Sequence, residues 1–66
     1  MPRDYLQEAM DAMADMSLPD IEALRKATKL MRQSNATDMS KAFTLSFSAG
    51  LRATAKRKLA TEATNG

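Results

Sequence analysis

The stretch FTLSFSAGLRATAKRK, residues 43–58, carries two periodicities at once. Phe43, Leu45 and Phe47 alternate with Thr44, Ser46 and Ser48, the period of a strand with one buried face. Phe43, Phe47, Leu51, Ala55 and Leu59 recur at every fourth residue, close to the period of a helix. A strand over 43–48 needs a pairing partner. No other segment has strand character, so that partner would come from a second subunit as an intermolecular ribbon. A helix needs none, and Ala, Leu, Lys and Arg, all good helix formers, dominate the region. Gly50 opposes the helix by about 1 kcal/mol relative to alanine. The helical reading prevails over roughly 38–63, with a kink expected near Gly50 and the terminal TNG frayed.

Upstream, the pattern is helical throughout. Leu6, Met10 and Met13 recur at i, i+4 and i+7, and Tyr5, Ala9, Ala12 and Met16 widen that face. Pro2 sits where a first helical turn tolerates proline, and Asp4 and Glu8 suit the positive end of the helix dipole. These features predict an amphipathic helix over roughly 3–15. In MSLPDIEALRK, Ser17 reads as an N-cap with Asp20 three residues on, which predicts a second helix from about 18 to 33. Ile21, Leu24, Ala27, Thr28 and Met31 form its apolar face. QSNATDMS then breaks the chain, with Thr37 or Asn35 capping the third helix. Ser46, Ala49, Gly50 and Ala53 make a narrow strip on that helix against which a neighbouring helix is expected to pack closely.

The expected architecture is therefore all-α: a single small domain over 1–66, made of a short N-terminal helix and a helical hairpin that self-associates into a bundle. Self-association is expected because 66 residues support only a marginal core. Cysteine and histidine are both absent, so disulfides and the commonest transition-metal ligands cannot supplement it. The first sixteen residues carry acids where a targeting segment would be apolar, and no run approaches a membrane span. The composition points to a cytoplasmic protein that does not engage membranes.

A net charge of +2 conceals a strong asymmetry. Through Leu24 there is one base against six acids, and from Arg25 onward nine bases against two acids. Arg25, Lys26, Lys29 and Arg32 form one basic cluster, and Arg52, Lys56, Arg57 and Lys58 another. The bland reading is a solvated helix surface. The sharper one is a surface that steers toward an acidic partner protein or toward phosphates.

Catalytic chemistry finds little support. No histidine exists to activate a serine, no glycine-rich phosphate loop is present, and no loop has calcium-binding spacing. Asp4, Glu8, Asp11 and Asp15 read as a solvated acidic face rather than a cation site. No cofactor is expected. The function expected is non-enzymatic protein–protein binding, as a regulator, inhibitor or adaptor of a larger protein; small accessory proteins of bacterial or phage type are the analogy, by size and composition alone. The partners expected are a second copy and a protein with an acidic surface. The alternative is a small nucleic-acid-binding protein that contacts the phosphate backbone through its basic residues.

Leu6, Met10, Met13 and Met16 are the candidate partner-binding residues, on a first helix read as a detachable, mobile element. Methionine suits adaptable binding surfaces as well as irregular cores. Leu24, Met31, Phe43, Phe47, Gly50, Leu51 and Leu59 are the candidates for the core or for self-association.

Overall fold

Asp4 starts the first helix by accepting the Gln7 N–H on its carboxylate at 3.0 Å, which satisfies one of the donors a helix start leaves open. The computed structural model describes residues 3–65, so the readings placed on Pro2 and Gly66 lie outside it. Its helices are α1 (Tyr5–Ala14), α2 (Asp20–Gln33) and α3 (Asp38–Asn65). The deciding stretch 43–58 is helical throughout, and α3 is assigned unbroken through Gly50.

The α1–α2 connection departs from the expected cap. Asp15 accepts both the N–H and the hydroxyl of Ser17 on one carboxylate oxygen, at 3.0 and 2.5 Å. That turn closes α1, and it commits the Ser17 hydroxyl backward along the chain. Ser17 therefore does not cap α2. Leu18 precedes proline and is kept out of the helical region, so α2 starts only at Asp20, with Pro19 extended at its N-cap. The α3 start follows the expectation: Thr37 accepts the Ser40 N–H at 3.1 Å.

α1 runs up, α2 down and α3 up, and α1 lies in the middle. It packs against both other helices, whereas α2 and α3 barely touch. The core consists of Ala9, Ala12 and Met13 from α1 with Ala23, Ala27 and Met31 from α2. Small residues at the crossing let the two axes approach closely. Leu6, Leu18, Leu30 and Leu45 close the margins. Half of this core comes from α1, so the first helix is the platform of the fold and not a detachable arm.

At about 1.5 Å per residue, the 28 residues of α3 span about 42 Å, nearly the whole 44 Å length of the molecule. α1 ends beside Arg52 and α2 begins beside Lys56. Past that level residues 57–63 of α3, all exposed, form an overhang.

Of the candidates for the core or for self-association, Met31 is buried, whereas Leu24, Phe43, Phe47, Gly50, Leu51 and Leu59 are exposed in the single chain and do not form its core. The reason is helical phase. The least exposed positions of α3 are Lys41, Thr44, Leu45, Ser48, Arg52 and Ala55, a different set at 3–4 spacing. Turning that set inward carries the Phe43–Phe47–Leu51 ridge out to the surface.

Candidate functional site

Arg52 is the most connected side chain in the molecule, and only 6% of it is exposed. Its Nη1 donates to the carbonyls of Met13 and Asp15, both at 3.0 Å, and its Nη2 donates to the carbonyl of Leu18. Its Nε donates to the Asp20 carboxylate at 2.8 Å. A helix end leaves carbonyls without helical partners, and a cation there also meets the negative end of the dipole. Arg52 thus ties α3 to the end of α1, to the connecting turn and to the start of α2. Lys56, one turn on, reaches the other Asp20 oxygen at 2.5 Å. Lys56 first, and then Arg52, hold the Asp20 carboxyl below its ordinary range. This cluster is a clamp: its recorded bonds run to backbone carbonyls and one carboxylate.

An exposed apolar ridge runs along α3. Met39, Phe43, Phe47 and Leu51 follow one another at every fourth residue along α3 and are all exposed, Phe43 by 71% and Phe47 by 50%. The two rings stack with centroids 6.2 Å apart and planes 9° from parallel. Stacking of this kind holds two large apolar groups in one arrangement before any partner arrives. Exposed aromatic anchors are a common source of binding energy at interfaces.

Beside this ridge runs a groove of about 300 Å³ between α1 and α3. Met10, Ala14 and Met16 line one side and Ser48, Leu51 and Ala55 the other. Ser48 is buried in the wall, and its hydroxyl has no hydrogen-bond partner among the described residues. A second cleft, about 450 Å³, separates α2 from α3, with Met13, Leu24, Ala49 and Ala53 along it and Asp20 and Lys56 at its rim. The small strip expected to receive helix two thus meets open space on this side, because α2 packs on α1 instead. Gly50 is exposed as well, and a side chain built there would meet nothing within 4 Å.

The four partner-binding candidates of the first helix are divided by the structure. Met13 is buried in the core and is withdrawn as a docking residue. Leu6 packs against the core edge. Met10 and Met16 line the groove beside the α3 ridge. The acids of α1 are each engaged locally: Asp4 with the Gln7 backbone, Glu8 with Arg3, Asp11 with the Gln7 side chain, and Asp15 with Ser17.

The basic candidates do not form one surface. Arg52 is buried and leaves the set. Lys56 is paired with Asp20, and Arg25 with Glu22 at 3.5 Å. Lys26, Lys29 and Arg32 are exposed on α2, as are Arg57 and Lys58 on the overhang of α3. Because α2 runs antiparallel to α3, Lys29 and Arg32 sit toward the end of the molecule opposite the overhang.

Sequence reasoning missed the inward roles of Arg52, Ser48 and Ala23 and the pairing of Asp20 with α3. For Ala23 a signal existed, since Ala23, Ala27 and Met31 recur at i, i+4 and i+8. For the Arg52–Asp20 pair none did, because 32 residues separate the partners.

No family model, characterised protein or solved structure matches the chain. Among the described residues, no helix is long and apolar enough to cross a membrane.

Proposed function

We propose that this chain is a non-enzymatic protein-binding module, a regulator or adaptor that acts through the apolar ridge of α3 and the adjoining methionine-lined groove. The observation that supports this reading is the exposure of the stacked Phe43 and Phe47 rings on one face with Leu51. Scattered exposed apolar residues are ordinary, whereas a contiguous patch of large ones marks an interaction surface. The nucleic-acid alternative draws less support, since Arg52, one of its eight basic candidates, is internal and the exposed cations are divided between the two ends.

A photo-cross-linking benzoyl-phenylalanine in place of Phe47, in the full chain inside cells, tests the reading. Covalent adducts to protein are expected, and competing them away with unlabelled chain should reduce their yield. Adducts to nucleic acid alone, with a purified chain that carries nucleic acid and sheds it in high salt, would replace this reading with the alternative.

A further inference from the structure

We infer that the occupant of the α3 ridge is a second copy of this chain, laid antiparallel, with the two-fold axis at the level of residue 49 on the ridge face and Phe43 of each copy seated in the partner's α1–α3 groove. This inference rests on the protein-binding reading above and names the partner of that same face.

The surface area points to a missing partner. The chain exposes 5000 Å², whereas a compact monomer of 7.2 kDa exposes about 4100 Å². The excess of about 900 Å² is close to the roughly 800 Å² that each side of a standard interface contributes. The chain's radius of gyration, 13.2 Å, likewise exceeds the roughly 11 Å expected for a compact chain of 66 residues.

The ridge is complementary to its own reverse. Positions 47 and 51 lie equally far from 49, and so do 43 and 55. An antiparallel copy therefore sets Phe47 against Leu51 of the partner subunit and brings Phe43 over the partner's Ala55. Ala55 is the small residue in the groove wall, facing Met10, Ala14 and Met16. A projecting ring and a groove floored by alanine occupy symmetry-related places on one face, as a two-fold interface requires.

Charge selects the direction. Lys58 is exposed seven residues past Leu51 and shares its face, on the overhang. The opposite end of the molecule carries charges of both signs, exposed Asp4 and Asp38 beside exposed Lys29 and Arg32. Antiparallel pairing keeps the two basic overhangs apart. Parallel pairing would set the two basic overhangs side by side.

The test uses the full chain, which has no native cysteine. Light scattering behind size exclusion should read twice the chain mass for the wild type. Phe47→Glu should read a single chain mass with its helical circular dichroism retained, because Phe47 lies outside the core. Two separate single-cysteine variants then report direction under mild oxidation. In the antiparallel pair the two copies of Gly50→Cys lie about 3 Å apart along the axis, and those of Lys58→Cys about 27 Å apart. Cross-linked dimer from Gly50→Cys and none from Lys58→Cys is expected. Efficient cross-linking of both would overturn the antiparallel arrangement. A dimer that persists in Phe47→Glu would place the interface elsewhere. A wild type that is monomeric at every concentration would overturn the second-copy inference. Cellular adducts from position 47 to a different protein would, in that case, leave the protein-binding reading standing.

Discussion

At the scale of single residues, Arg52 does what the larger apolar side chains of α3 do not: it holds the third helix in place. Its guanidinium answers three carbonyls and one carboxylate that would otherwise face a dry or partly dry space. Breaking such a set leaves the acceptors unpaired, which costs more than the bonds were worth in exchange with water. We expect Arg52→Ala to destabilise the fold by about 1–3 kcal/mol, a large share of the stability of a small domain. A urea titration followed by circular dichroism checks this; a loss below about 1 kcal/mol would show that the clamp is dispensable. Asp20 gives a prediction in pH. Its carboxyl is held below the ordinary value of 3.8 by Lys56 and Arg52. A depressed carboxyl contributes stability that is complete above the unfolded value and is lost as pH falls through the folded one. The melting temperature should therefore fall on acidification below about pH 4, and less so in Asp20→Asn. Parallel acid profiles of the two proteins would contradict this.

Among the elements, α1 has the role least expected of a short acidic helix. It supplies Ala9, Ala12 and Met13 to the core and separates α2 from α3. Removing residues 1–16 should therefore abolish the helical signal of the remainder, where a detachable arm would leave it intact. Circular dichroism of the truncated chain decides between them. The α1–α2 contact is close because its residues are small. Ala23 is fully buried, so Ala23→Leu should overpack the crossing and cost about 1–3 kcal/mol, read from a thermal or urea midpoint. An unchanged midpoint would mean that the helices separate freely at that level.

For the whole molecule, the balance of buried and exposed surface is unusual. The core holds no large side chain that is fully buried, while Met39, Phe43, Phe47, Leu51 and Leu59 face outward. A chain built this way is expected to gain stability from association, and its melting temperature should then rise with protein concentration. Phe43→Ala together with Phe47→Ala should flatten that dependence. At concentrations low enough to dissociate any assembly, the double substitution should shift the midpoint little, because both rings are exposed in the single chain. A large loss at low concentration would instead place the rings inside the fold.

Much of this architecture was legible in the residues. The order and type of the three helices follow from local causes: apolar spacing, the acids near the start of α1, the proline at the α1–α2 boundary and the Thr37 cap. Those effects act within one or two turns, so a sequence displays them. The phase of α3 was not legible. Its Phe–Leu ridge is the more apolar face, and hydrophobicity alone turns that face inward. The inward face was decided by groups distant in the chain: the unsatisfied carbonyls at the end of α1 and the Asp20 carboxylate, which only a long cationic donor could reach. The same choice moved Arg52 from a surface candidate to the interior and left Phe43 and Phe47 outside. Local periodicity determined by itself that the chain is helical and which residues could share a face; the pairing of buried polar groups across the tertiary structure decided which face turned inward and which stayed exposed.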